Sequence, residues 1–347
     1  MHANNVTIHD IAAALKIDSS TVSRALNNSP RVTQKTKQRI LAKAEEMGYQ
    51  RNVLASNLRK NKTNTIGVII PRISRFFFSS AIEGIEETAF ENGYNVIMCQ
   101  SLEKLERETN LVQTLVANRV DGMIVSISME TLDYEHMELA RKNGIPTVFF
   151  DRHCDIPGNN NVLLNDYQGS FDATDHLISQ GCRNIAHLAG PRDLKLYQNR
   201  FNGYKEALEK NGLLFQPDLV IDSNLMEEDG ANAAQKILES LPQVDGIFSA
   251  NDVAAVGAMQ FLKRKKVKIP DEIAIVGFSN GPTSSVIDPS LTTVDQSGKK
   301  MGRLATELLI KQIHAKPNPL DPETIILEPT LIKRGSTQKK PIILPKT

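Results

Sequence analysis

Residues 6–49 read VTIHDIAAALKIDSSTVSRALNNSPRVTQKTKQRILAKAEEMGY, and their spacing predicts three short helices. Thr7 stands before IHDIAAAL with Asp10 three residues on. This is a capping-box arrangement, in which hydroxyl and carboxylate each accept a backbone N–H at the helix start. Ile8, Ile11, Ala12 and Leu15 then share one face. Asp18 or Ser19 can cap a second helix, SSTVSRAL, with Val22 and Leu26 facing inward. Ser19, Ser20, Ser23 and Arg24 fall mainly on its outer faces. Thr33 can cap a third helix with Ile40, Ala44 and Met47 on its inner side, ended by Gly48. Its outer side carries Lys35, Lys37, Arg39 and Lys43. Two short helices, a tight turn and a basic third helix make a helix-turn-helix, whose second helix enters the major groove. Arg24 can give two hydrogen bonds to a guanine edge. The short hydroxyls let the helix sit close to bases and phosphates. Taken alone, an exposed polar helix with serines at its cap explains these residues about as well.

The charge distribution favours the nucleic-acid reading. The net charge of +1 on 347 residues conceals an asymmetry. Residues 1–62 carry eleven Lys/Arg against four Asp/Glu, a balance of +7, and the remainder carries −6. A small basic head on an acidic body suits phosphate-backbone binding. No apolar run approaches the roughly 20 residues that span a bilayer. The first residues, MHANNVTIHD, have neither a basic nor an apolar segment, so a cytoplasmic protein is expected. Cys99, Cys154 and Cys182 are odd in number and far apart, with neither a disulfide framework nor zinc spacing.

From Thr65 onward the pattern changes. TIGVII (65–70), YNVIM (94–98), DGMIVS (121–126) and PTVFF (146–150) alternate with amphipathic helical stretches. NVLL (161–164), NIAHLA (184–189), DGIFSA (245–250) and EIAIVGF (272–278) form a second series. This alternation predicts an α/β body of parallel sheets covered by helices. Val120-Asp121-Gly122-Met123-Ile124 echoes Val244-Asp245-Gly246-Ile247-Phe248, which suggests two similar doubly wound subdomains with a ligand cleft between them. There is no GxGxxG, P-loop or GxSxG, so no enzyme, cofactor or metal site is expected. Structural roles are expected for His153, His176 and His187.

The block at 6–49 closely resembles the DNA-binding head of the lactose-repressor (LacI/GalR) family. NTIGVIIP (64–71), PTVFFDR (146–152), HLISQGCRNIAHLAGP (176–191), NRFNGYKEAL (199–208), IFSANDVAAVGA (247–258), IPDEIAIVGF (269–278) and PSLTTVDQ (289–296) extend the resemblance to about residue 335. It implies a three-helix head (1–48), a hinge with a hinge helix (49–63), and a body like type I periplasmic sugar-binding proteins. The N-terminal subdomain would comprise 64–162 and 292–318, the C-terminal one 163–291 and 319–335, with a tail at 336–347. The three crossing strands would lie near 152–163, 288–296 and 316–322. By the same resemblance, Ser19, Ser20 and Arg24 meet base edges, and Thr7, Ser23, Asn27 and Ser29 meet phosphates. Leu58 would be an apolar wedge in the minor groove that bends the duplex. Arg200 matches the effector-binding arginine, with Phe77, Phe78, Asp151, Asn251 and Ser279 beside it. The competing roles are a salt bridge with Arg152 or a helix cap for Asp151, and a helix cap for Asn251-Asp252.

Two departures from the family stand out. The usual Tyr-x-Pro-Asn is Tyr49-Gln50-Arg51-Asn52 here, which removes a fixed φ before the hinge helix. After IVGF, many members have an aspartate that grips the effector; this chain has Ser279 and Asn280. The resemblance implies a homodimeric transcriptional regulator, mostly repressing, on a palindromic operator, with a carbohydrate as the expected effector. A regulator answering to a protein corepressor is the alternative that Ser279 leaves open. A solute-binding protein without DNA binding is the alternative from another class, and the basic head argues against it.

Overall fold

The computed structural model describes residues 6–49, 62–154, 158–316, 318 and 320–338. Arg51 and Leu58 of the hinge, and 339–347 of the expected tail, lie outside these described residues. The chain divides into two compact units, Met1–Thr63 and Asn64–Thr347.

The first unit holds α1 (Ile8–Leu15), α2 (Ser19–Leu26) and α3 (Gln34–Glu46). The Thr7 capping box forms: Thr7 N and Oγ1 each donate to Asp10 Oδ2 at 2.7 Å, and Asp10 N donates to Thr7 Oγ1. Lys16 turns left-handed and ends α1. Asp18 precedes α2 as its cap residue, but its side chain makes no capping bond. Thr33 caps α3 through Thr36 N. One wholly buried side chain per helix closes the core: Ile11, Val22 and Ile40. Each such burial contributes roughly 1.5–3 kcal/mol. Ala25 completes the inner face of α2, and Leu26 sits half-buried at its margin.

The second unit begins with β1 (Thr65–Ile70), α4 (Phe76–Glu91), β2 (Asn95–Gln100), α5 (Leu105–Ala117) and β3 (Gly122–Val125). Next come α6 (Glu135–Lys142), β4 (Thr147–Phe150), β5 (Asn160–Leu164), α7 (Asp166–Ser179), β6 (Ile185–Ala189) and α8 (Lys195–Lys210). After these follow β7 (Val220–Asp222), α9 (Glu227–Ser240), β8 (Gly246–Ser249), α10 (Asp252–Arg264) and β9 (Ala274–Phe278). The last elements are α11 (Pro282–Val286), β10 (Thr292–Asp295), α12 (Gly298–His314), β11 (Thr324–Leu327) and β12 (Thr330–Ile332). Two six-stranded sheets result, ordered β11-β5-β4-β3-β1-β2 and β12-β10-β9-β8-β6-β7. All described pairings are parallel except β12 against β10.

The echo between 120–124 and 244–248 has a structural counterpart. β3 and β8 occupy the same central place in their sheets. Each is preceded by an aspartate that accepts backbone N–H groups near the start of the neighbouring strand. Asp121 takes Asn64 N at 2.8 Å; Asp245 takes Arg183 N and Asn184 N at 2.8–2.9 Å. His187, expected to be structural, stacks between Tyr204 and Phe248, and burial pushes it down to about 4. His176 pairs with Thr337.

The subdomain boundaries differ from those expected. β10 (292–295) extends the second sheet, pairing with 276–278, and β11 (324–327) joins the first, pairing with 161–164. The chain therefore changes sheets after β5, β10 and β11, whose ends at 164, 295 and 327 lie beyond the expected boundaries at 162, 291 and 318. Four-residue strands such as TTVD and TIIL are too short for their pattern to mark which sheet they join. The tail boundary at 336 also moves. Ser336 Oγ donates to Ile275 O at 2.6 Å, and Ser336 and Thr337 are wholly buried. Their hydroxyls bond buried groups around Thr292, which leaves them part of the sheet edge.

Candidate functional site

On the head, Ser20 and Arg24 are exposed, while Ser19 and Ser23 are half-buried. With no side-chain cap from Asp18, the first-turn N–H groups of α2 have no side-chain acceptor, an arrangement suited to a phosphate oxygen. The residues expected at phosphates already have local roles. Thr7 is locked to Asp10, Asn27 Nδ2 donates to Ser23 O at 2.8 Å, and Ser29 Oγ accepts from Arg31 N. The basic face of α3 is partly engaged as well. Lys37 Nζ donates to Asn28 Oδ1 at 2.7 Å, Arg39 reaches Leu15 O, and Lys43 pairs with Glu46.

In the body, the C-terminal ends of the strands of both sheets converge on a cavity of about 370 Å³. That volume lies within the range of small-molecule sites. Phe77, Phe78, Asp151, Arg200, Asn251 and Ser279 all line it. The first turn of α4 supplies the two phenylalanines, packed edge-to-face at 5.2 Å. Arg200 comes from α8 and is held from two sides. Its Nε donates to Asp166 Oδ1 at 2.8 Å and its Nη1 to Ala250 O at 2.7 Å. The guanidinium carbon lies 3.7 Å from the centroid of the Phe278 ring. Nη2 lies 2.6 Å from Asp166 Oδ1 in the same ion pair, so Asp166 holds both the Nε and Nη2 sides of the guanidinium.

Two expected contacts have prior commitments. The Asn251 amide caps α10, accepting Ala254 N at 2.8 Å and donating to Leu225 O at 2.9 Å. The capping role therefore holds even though Asn251 lines the cavity. Ser279 Oγ donates to Gln296 Oε1 at 2.7 Å, and Asn280 turns away to accept Arg334 Nη2. Asp252, next to Asn251, is spent on Gly281 N and Thr293 Oγ1, tying the loop after β9 to α10.

Sequence reasoning did not place Arg75, Glu103, Tyr197 or Gln296 at the cavity, nor Asp166 beneath Arg200. Arg152 figured only as a partner for Asp151. The structure sets its Nε 3.9 Å from that carboxylate and pairs its Nη1 with Glu103 at 2.7 Å. The signal for Asp166 was its place just after an apolar strand, where α/β folds put ligand-shell residues.

Asp151 carries an electrostatic cost. Its backbone is left-handed, and among the described residues its carboxylate accepts no hydrogen bond. Burial pushes it up to about 7, with Arg152 opposing and Asp166 adding. The unfolded residue titrates near 4, so the folded chain holds the proton more tightly between about pH 4 and 7. Stability is therefore lost as pH rises through that window. Asp151→Asn should be more stable than wild type at pH 8, by on the order of 2–4 kcal/mol, and equal to it near pH 4. Urea midpoints across pH 4–8 check this; parallel curves for the two proteins would refute it. Asp166 and Asp252 are also raised, but they contribute to both curves alike.

A helix-turn-helix joined to two parallel sheets around a ligand-sized cavity defines a DNA-binding regulator with a periplasmic-binding-protein-like body. The comparisons agree. The profile of bacterial regulatory proteins of the lacI family matches residues 7–52, and that of the periplasmic binding protein-like domain matches 174–337. The ribose operon repressor of Halalkalibacterium halodurans is 35% identical over 96% of this chain and 97% of its own length. The lac repressor dimer bound to operator and the anti-inducer ONPF superposes with a TM-score of 0.86 at 24% identity, over 97% of this chain and all of that one. The regulator CelR in complex with cellobiose gives 0.74 at 26% identity, over 95% and 99%. The chain belongs to the LacI family and is a DNA-binding repressor rather than an enzyme.

Proposed function

We propose that a homodimer of this cytoplasmic repressor binds a palindromic operator and that a carbohydrate in the cavity sets its operator affinity. The observation that carries the effector half is the cavity lining. Arg200 and Asp151, whose carboxylate accepts no hydrogen bond among the described residues, line one space with two aromatic faces, a donor–acceptor set suited to a polyol. A ribose operon repressor among the relatives and cellobiose in a structural neighbour support the same class. The cavity lies between two sheets joined by three chain crossings, so a ligand that prefers one closure state shifts the population of that state. The hinge would pass that shift to the two heads.

On the DNA side, Arg24 is the exposed arginine of α2, and two-fold symmetry would place one copy at each half-site. Arg24→Ala should lose about 1–3 kcal/mol of operator affinity and relax preference at one position per half-site. Footprinting with a randomised operator pool checks this; unchanged affinity and preference would remove α2 from the groove. Calorimetry of the full-length protein against a carbohydrate panel, followed by operator titrations with each binder, tests the effector half. A panel that yields no binder returns the protein-corepressor reading.

A further inference from the structure

Resting on the carbohydrate reading, we infer that the effector is an anionic sugar, whose phosphate or carboxylate is held by Arg75 at the N-terminal end of α4.

Arg75 lines the cavity directly before Phe76, Phe77 and Phe78. Among the described residues, no carboxylate lies within ion-pair distance of its guanidinium. The hydrogen bond it makes runs from Nη2 to Met226 Sδ, 3.0 Å away, and a thioether is a weak acceptor. Burial already disfavours its charged form. Tyr197 and Glu103 offset this only in part. Glu103 is committed to Arg152 Nη1 at 2.7 Å and to Met129 N at 3.0 Å. Arg72 and Arg152 repel it. Glu227 lines the rim, exposed to solvent and outside pairing distance.

One further nitrogen of a cavity-lining arginine, Arg152 Nε, has no hydrogen-bond acceptor among the described residues although its side chain is more than nine-tenths buried; Asp151 Oδ2 lies 3.9 Å from it. The buried carboxylate beside it, Asp151, accepts no hydrogen bond among the described residues and suffices for the hydroxyls of a neutral sugar. Ser279, at the end of the IVGF strand, is neutral and already donates to Gln296. A neutral ligand closing this cavity would strip water from Arg75 and return no charge, a costly arrangement for a cation. An anion at that end removes the cost and forms charge-assisted bonds. The 16-residue α4 adds its positive end, and its first turn has no side-chain cap. The geometry thus divides the ligand, with hydroxyls toward Asp151 and Arg200 and the anionic group toward Arg75.

The test is calorimetry on the full-length protein with matched pairs: ribose, xylulose and glucose against ribose 5-phosphate, xylulose 5-phosphate and glucose 6-phosphate. Gluconate and glucuronate form the carboxylate arm, and inorganic phosphate is the control. The expected result is that at least one anionic sugar binds tenfold or more tighter than its neutral parent. Arg75→Gln should erase that preference while leaving the neutral parent's affinity within about twofold. Arg75→Lys should retain part of it. Preference within the phosphate arm or the carboxylate arm identifies the anion. Neutral sugars binding as tightly as their anionic partners, or a preference that survives Arg75→Gln, would overturn the inference and leave the carbohydrate reading intact. No binding by any sugar would overturn both. Inorganic phosphate binding as tightly as a sugar phosphate would reduce the site to a bare anion contact and also overturn it.

Discussion

Arg200→Ala should abolish effector binding and destabilise the body by about 3–5 kcal/mol, the range for removing one partner of a buried ion pair. The size of the effect follows from what stays behind. Asp166 is 5% exposed, and burial already raises it; Arg200 opposes that rise through its charge and the Nε hydrogen bond. Without the guanidinium, the carboxylate must take up a proton or draw in water. Ala250 O loses its donor, and the ring of Phe278 loses the cation beside it. Stability and binding can be separated by a second variant. Asp166→Asn with Arg200→Met replaces both charges by neutral side chains of similar volume, so it should recover much of the stability and none of the ligand affinity. Urea midpoints and calorimetry on the three proteins make the comparison. Wild-type ligand affinity in Arg200→Ala would remove this cavity from effector sensing.

How far the site could be read from sequence depends on which physical signal each residue leaves. Phe77 and Phe78 were legible only through the family resemblance, whereas Asp151 also stands where an apolar strand meets its loop, and such ends converge in α/β folds. Asp166 also follows an apolar strand, but that place does not show its partner. It lies 34 positions from Arg200, and their meeting depends on how α7 and α8 pack. Arg75 was missed for a different reason. A lone arginine before an aromatic helix reads as a solvated charge until the cavity wall is closed around it. Asn251 shows the reverse case. The sequence offered both a cap and a ligand contact, and the described bonds commit its amide oxygen and one amide hydrogen to capping. Eight strands were legible as apolar runs, whereas β10 and β11 were not assignable to a sheet, because their pairing depends on where the chain crosses between the two sheets. In the head, one face per helix sufficed to place Ile11, Val22 and Ile40, since so small a core leaves little choice of partners.

Gly302→Val should cost about 3 kcal/mol of stability and should weaken effector binding although residue 302 is not at the cavity. A Cβ at Gly302 would overlap the carbonyl oxygen of Ala81 on α4, and one at Gly84 would overlap that of Lys299 on α12. The two helices therefore touch backbone to backbone, each through a residue without a side chain. At the start of the same seam, a Cβ at Gly298 would sit 2.9 Å from Phe77 O, in the turn that presents Phe77 and Phe78 to the cavity. Backbone cannot move aside as the end of a flexible side chain can, so a valine must push α4 and α12 apart. That displacement shifts the aromatic wall. Gly84→Val opens the same gap from the opposite side. The two changes together should then cost clearly less than the sum of the singles, as expected for substitutions that share one cause. Urea midpoints for the three variants, with calorimetry against whichever sugar the panel identifies, supply the readout. Full additivity, or Gly302→Val melting within about 0.5 kcal/mol of wild type, the level of an ordinary surface change, would mean that the seam yields easily and does not hold the aromatic wall in place.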